Sequence, residues 1–173
     1  LKGGYKMVTP LELKTRVKIQ WCPGCGNFGI LTAVKGAISE AGLEKHNTVL
    51  VSGIGCSGKT PQYVDTYGFE GIHGRILPVA TGIKLSNHKL TVIGHGGDGD
   101  GYGIGMCHFM HAFRRNIDMT YIVHDNQIYG LTKGQYSPTS DKGFSTKSAP
   151  AGAIEEPVNP MVLAIAGGAT FVS

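Results

Sequence analysis

The spacing of hydrophobic and polar positions changes several times along the chain. Residues 48–54 (TVLVSGI) form a short apolar run rich in β-branched side chains, which predicts a buried strand. Residues 90–94 and 119–124 read the same way, and 169–172 begin another strand. Between these runs the pattern predicts helices. One covers about 27–41 and stops at Gly42, and one covers 79–86 and is opened by Pro78. A third covers 103–115, where Ile104, Cys107, Met110 and Phe113 recur near helical spacing. The last covers 160–166 and is opened by Pro160. Residues 1–20 read as a lead-in with one short amphipathic stretch, and 61–78 as irregular.

Strands that alternate with helices imply an α/β fold: a mostly parallel sheet with helices on both faces, here a single domain over 1–173. Ligands of such folds bind in the crevice at the carboxyl ends of the strands. Three Gly-rich loops fall at such ends or just before a helix: 21–26, 55–60 and 96–101. The stretch 125–159 is long, polar and interrupted by Pro and Gly, which marks a functional loop rather than a linker.

Composition sharpens this picture. The chain has 173 residues and 27 glycines, with 41% hydrophobic and only 16% charged positions. That is not a disordered composition. So many glycines suggest backbone brought close to a ligand, and so few charges suggest a surface covered by other chains. The net charge of +4 has no clustered Lys/Arg stripe, so nucleic acid is not an expected partner. No apolar run approaches a membrane span and no signal peptide is recognisable, so the expected location is the cytoplasm.

The loop Gly96-Gly97-Asp98-Gly99-Asp100-Gly101 lies between a strand and a helix. Glycines there let backbone approach an anion, and a helix N-terminus presents free N–H groups to it. A carboxylate in such a loop can hold a Mg²⁺ that bridges two phosphates, and Asp98 is the candidate. Asn126 follows 28 positions later, just past the strand that ends at His124, and can add its amide oxygen. The Ile128 carbonyl supplies a third ligand. G-D-G, helix, strand and then Asn is the layout of thiamine diphosphate enzymes. A Rossmann-type loop or a plain turn is the plainer alternative, since G-D-G alone is common.

The cysteines suggest a second kind of chemistry. Cys22 and Cys25 form a C-x-x-C beside Trp21 and Pro23, and Cys56 ends the strand over 48–54. Three thiolates from two loops suit an iron–sulfur cluster or zinc, with His46 or His73 as a further zinc ligand. A thioredoxin-like dithiol is the alternative for the C-x-x-C. Cys107, among apolar positions, reads as a small core residue.

Five motifs together resemble the β subunit of 2-oxoacid:ferredoxin oxidoreductases. They are W-C-P-G-C-G-N at 21–27, S-G-I-G-C-S-G-K at 52–59, H-G-R-I-L-P-V-A-T-G at 73–82, G-D-G-D-G-Y-G-I-G at 97–105 and H-D-N-Q-I-Y-G-L-T-K-G-Q at 124–135. The resemblance runs from Val17 onward and implies a thiamine-diphosphate-binding fold. It implies Cys22, Cys25 and Cys56 as three ligands of a [4Fe-4S] cluster, and Asp98, Asn126 and Ile128 as the Mg²⁺ ligands. Ile54, Gly55, Cys56, Ser57, His73, Gly99, Asp100, Gly130 and Leu131 match positions at the thiamine diphosphate. Lys59 matches a residue near the substrate carboxylate, and Leu131 one in the substrate pocket. The implied partners are an α subunit, ferredoxin, a 2-oxoacid and coenzyme A.

Family β subunits are longer and carry a fourth cluster cysteine nearer the C-terminus. The expectation is therefore a C-terminally incomplete subunit that is inactive alone. The glutamate that assists the cofactor has no candidate here, since Glu40, Glu44 and Glu70 read as surface residues; the resemblance assigns it to the α subunit. A non-oxidative thiamine diphosphate decarboxylase or carboligase, or a non-catalytic metal-binding module, are the rival readings.

Overall fold

The computed structural model describes residues 8–173; residues 1–7, part of the expected lead-in, lie outside the described residues. Four parallel strands form the central sheet: β1 (Thr48–Ser52), β2 (Tyr67–Glu70), β3 (Thr91–Gly97) and β4 (Thr120–His124), in the order β2-β1-β3-β4. Side chains alternate faces along each strand, so the same strands serve two cores. Leu50 and Ile93 point to one face, where α1 (Asn27–Glu40) lays down Leu31, Val34 and Ile38 at helical spacing, with Trp21 and Tyr63 alongside. Val49, Val51 and Val92 point to the other face, onto Ile76 and Ala80 of α2 (Ile76–Ser86). The second face continues through Leu77, Phe109, Ala112 and Ala164, which join α2 to α3 (Met106–Arg115) and α4 (Pro160–Gly167). Helices on both faces of a parallel sheet is the architecture that the alternating pattern predicts.

The differences have local causes. β2 falls in the stretch read as irregular: it is an exposed edge strand, Tyr-Gly-Phe-Glu, with no apolar rhythm to announce it. β3 runs three residues past Gly94 because Gly94 and Gly96 leave room for the Tyr121 ring of β4, which a Cβ at either position would crowd. α2 begins at Ile76 rather than at Val79, since Pro78 in the first turn gives up an N–H that has no helical acceptor.

The helix expected from 103 starts at Met106, after a wide π-helical turn over Gly99–Ile104. Its buried side is Phe109 and Ala112; Ile104 is exposed, and so is Cys107, so Cys107 is not the core residue it was expected to be. The helix stops at Asn116, which takes the left-handed conformation with φ 46°, and Arg114 and Arg115 sit at its negative end. The long loop contains a small hairpin, β5 (Ile128–Tyr129) with β6 (Gln135–Tyr136). Residues 169–172 do not join a strand; Ala169 and Val172 pack against the α3–α4 core instead. No described helix is long and apolar enough to cross a membrane.

The sheet also buries two imidazoles. Burial lowers the pKa of His95 to about 3, with His124 adding to the effect, and burial lowers His124 to about 4. In the unfolded chain both protonate near the ordinary value of about 6.5. Between these values the unfolded chain binds more protons, so folding stability declines as pH falls below the unfolded value. Thermal melts taken from about pH 7 down to about pH 4 should show the melting temperature falling from near neutrality, with the fall blunted in His95→Gln. A flat profile above the carboxylate range contradicts this.

Candidate active site

The carboxyl ends of all four strands open on one edge of the sheet. The loops that leave them carry most of the residues picked out in the sequence. The loop after β1 holds Ile54, Gly55, Cys56, Ser57 and Lys59, and the loop after β2 holds His73. The loop after β3 holds Asp98, Gly99 and Asp100, and the loop after β4 holds Asn126, Ile128, Gly130 and Leu131.

Asp100 ties three of these loops together. Its side chain is 1% exposed, and Oδ1 accepts from His73 Nδ1 at 2.7 Å, Gly74 N–H at 2.7 Å and Ile54 N–H at 3.2 Å. Oδ2 is buried without a partner. Gly53 makes this possible, because a Cβ there would stand 2.2 Å from Oδ2. Asp100 therefore faces inward and holds Ile54 and His73 in place rather than lining the cleft itself. His73 is half-exposed, with Nδ1 committed to Asp100. Gly99 is likewise buried: the Tyr129 ring lies where its Cβ would be, and Tyr129 Oη donates to the Gly99 carbonyl at 3.0 Å.

Asp98 is buried at 1% exposure. The Thr139 hydroxyl lies 2.9 Å from Asp98 Oδ2 and 2.8 Å from Asp125 Oδ1. One hydroxyl carries one proton, so it donates to only one of the two carboxylates. The other is left facing an oxygen lone pair, and a hard, oxygen-seeking cation relieves that conflict. Asn126 Oδ1 accepts from Ile128 N–H at 3.2 Å, which sets the turn that presents the Ile128 carbonyl. The chemistry of this donor set fits Mg²⁺ beside a diphosphate: one buried carboxylate, one amide oxygen and one main-chain carbonyl, with Thr139 and Asp125 supporting them.

Asp125 stands in the motif at 124–135 but was given no role; Thr139 and Ser140, whose hydroxyl donates to the Gln127 carbonyl at 2.5 Å, were not picked out from the sequence. The only sequence signal for them is the polar character of the long loop.

The cysteine loops meet at the same edge. Trp21 Nε1 donates to the Cys56 carbonyl at 2.7 Å and pins the C-x-x-C loop to the loop after β1. Burial raises the pKa of Cys56; the charges of Cys25 and Cys22 raise it further, and the Lys59 ammonium opposes them. All four cysteines are free thiols, and Cys22 is exposed. Gly130 lies between the two chemistries: a Cβ there would be 3.8 Å from Cys56 Sγ and 3.7 Å from Asn126 Nδ2.

Among the described residues, no three His, Cys, Asp or Glu side chains are gathered as a metal-binding group. The thiols are neighbours in field and in loop, and their type suits iron–sulfur ligation, but they are not drawn into a ligand cage. Neither histidine considered for zinc joins them, since His46 pairs with Glu44 before β1 and His73 is bound to Asp100. Leu131 is 52% exposed beyond Gly130, and Lys59 is half-buried.

Residues 53–173 match the thiamine pyrophosphate enzyme C-terminal TPP-binding domain, thiamine pyrophosphate being the other name of thiamine diphosphate. The chain belongs to the thiamine pyrophosphate enzymes. Within that family it is similar to 2-oxoacid:ferredoxin oxidoreductase β subunits. It is 53% identical to subunit β of enzyme 1 from Aeropyrum pernix over 160 residues, 92% of this chain and 50% of that one. It is 57% identical to the β subunit from Saccharolobus solfataricus over 155 residues, 88% of this chain and 51% of that one.

Among solved structures, 2-oxoglutarate:ferredoxin oxidoreductase from Magnetococcus marinus, with 2-oxoglutarate, coenzyme A and succinyl-CoA bound, superposes with a TM-score of 0.92 at 46% identity. That match covers 94% of this chain and 56% of the other. The chain thus spans about half the length of the relatives it matches.

Proposed function

We propose that this chain is the thiamine-diphosphate-binding part of a β subunit that, with an α subunit, oxidatively decarboxylates a 2-oxoacid to acyl-CoA and CO₂ and passes the electrons to ferredoxin. The observation that carries the reading is the position of Gly130, with the Cys56 sulfur on one side and the Asn126 amide on the other. It puts a redox-capable thiol loop against the loop of a cofactor-binding thiamine enzyme. A non-oxidative thiamine enzyme has no use for that neighbour.

Bound thiamine diphosphate supplies the nucleophilic carbon and the electron sink for decarboxylation. The chain's own residues bind and orient. Asp98, Asn126 and the Ile128 carbonyl would hold Mg²⁺, which would neutralise charge on the diphosphate. Asp100 fixes His73 in the tautomer that keeps the Nδ1 proton between them, leaving Nε2 as an acceptor. Lys59 offers an ammonium to the substrate carboxylate from a half-buried position, where its charge is less screened than in water. Cys22, Cys25 and Cys56 would supply three ligands of an iron–sulfur cluster, which would carry electrons one at a time.

Neither Glu44 nor Glu70 lies where it could assist the cofactor. Glu44 lies half-buried before β1, at the far end of the sheet, and Glu70 is exposed and bonded by Gln62 Nε2. The resemblance to the family implies that the assisting group comes from the α subunit.

The test uses the full-length chain assembled with its α subunit under anaerobic conditions. Viologen or ferredoxin should be reduced on addition of pyruvate or 2-oxoglutarate, with a requirement for coenzyme A. The Cys56→Ser complex should lose most of its iron and acid-labile sulfide and, with them, reductase activity. Release of CO₂ and an aldehyde without acceptor reduction, from a complex free of iron, would establish the non-oxidative alternative.

A further inference from the structure

A chain of hydrogen bonds crosses the core beneath the site and has no part in the chemistry above. His124 Nδ1 lies 2.8 Å from Asn27 Oδ1, and His124 Nε2 lies 3.1 Å from His95 Nδ1. An amide oxygen only accepts, so His124 carries its proton on Nδ1 and accepts through Nε2. His95 then donates from Nδ1, and its Nε2 is buried without a partner. His95 is 0% exposed, His124 7% and Asn27 8%.

Each member stands at the root of one of the site's loops. Asn27 is the first residue of α1, two positions after Cys25. His124 ends β4, two positions before Asn126, and His95 lies in β3, three positions before Asp98. The rings also meet edge to face, with centroids 5.4 Å apart.

We propose that Asn27, His124 and His95 are positioning residues that lock the root of the cysteine loop to the roots of the two metal-binding loops. The inference deepens the reading above and rests on it. Its physical basis is that a buried hydrogen-bonding group left without a partner must move or be desolvated at a cost. If Asn27 loses its oxygen, the His124 Nδ1–H is stranded in a dry core. The ring then turns or draws in water, and the end of β4 shifts with it. Asn126, two residues on, moves away from the position in which it can share a cation with Asp98. Asn27 itself belongs to a different loop from either metal ligand, so a purely local role predicts no effect on thiamine diphosphate.

The test is Mg²⁺-dependent thiamine diphosphate affinity, measured by titration of the full-length complex depleted of cofactor. Asn27→Leu should weaken affinity about 10-fold, the size expected for loss of a group that orients ligands. Asn27→Asp keeps an acceptor oxygen in the same place and should restore affinity to within about threefold of the wild type. Melting temperatures report on folding in parallel. Should Asn27→Leu fail to assemble, Asn27→Ser takes its place, because its side chain is too short to keep the 2.8 Å bond.

Unchanged affinity in the bond-breaking variant overturns the proposal while leaving the functional reading intact. Equal weakening in Asn27→Leu and Asn27→Asp overturns it too, since shape rather than the hydrogen bond is then responsible. A wild-type complex that binds no thiamine diphosphate overturns both.

Discussion

Asp98→Ala should abolish Mg²⁺-dependent retention of thiamine diphosphate in the assembled enzyme, with affinity expected to fall by about 100-fold or more, as for loss of a metal ligand with its surrounding bonds. Of the three oxygens proposed for the cation, that of buried Asp98 is the one that carries charge. Asn126 and the Ile128 carbonyl are neutral oxygens, and Asp125 is exposed and reaches the site only through the Thr139 hydroxyl. Removing Asp98 also frees Thr139 to donate wholly to Asp125, so the remaining network closes on itself without a cation.

Two comparisons separate this account from simple misfolding. Asp98→Asn keeps the shape and an acceptor oxygen but removes the charge, and should fail nearly as badly in Mg²⁺ while folding normally. Thr139→Val should weaken binding more mildly, because it removes a support and not a ligand. Equilibrium dialysis of thiamine diphosphate against Mg²⁺ reads all three. Undiminished binding in Asp98→Ala sinks the assignment of the metal site.

How much of this was legible in the sequence differs by residue. The sheet and its main helices could be read because 48–54 and 119–124 are apolar runs and because 27–40 bury one stripe. The edge strand β2 could not, since all four of its residues are exposed and its pairing is dictated by β1. The loops that carry chemistry were visible as motifs, and their common edge follows from parallel topology.

What the sequence could not reveal is direction. Asp98 and Asp100 are two carboxylates one residue apart in the same Gly-rich loop. Only the fold shows that one converges with Thr139 and Asp125 while the other turns under the loop to hold Ile54 and His73. The long-range partners were invisible for the same reason: Asn27 and His124 are 97 positions apart and neither lies in a pattern that pairs them. The cysteine trio was picked out by type, yet the described residues leave it short of a ligand cage.

Asp100→Ala has the second large effect, and it falls on stability as well as on binding. One buried oxygen serves three donors from two loops, and two of those donors are backbone N–H groups. Truncation strands these groups and also opens a void beside Gly53, whose missing Cβ exists to admit the carboxylate. Lost partners of a buried charged acceptor cost roughly 3–5 kcal/mol, enough to lower the melting temperature of a domain this size by roughly 6–20 degrees. His73 loses the contact that fixes its tautomer, so thiamine diphosphate affinity falls together with stability.

Asp100→Asn distinguishes the causes. Its amide oxygen can still accept from Gly74 N–H and Ile54 N–H, so most of the stability returns. Its neutral side chain holds the His73 ring less firmly, so the affinity defect persists at least in part. Denaturation of the two variants beside the wild type, followed by cofactor titration of whichever fold, reads both quantities. An Asp100→Ala protein with wild-type melting temperature and wild-type affinity would remove Asp100 from the frame of the site, and with it the reason that Ile54 and His73 face the cleft from fixed positions.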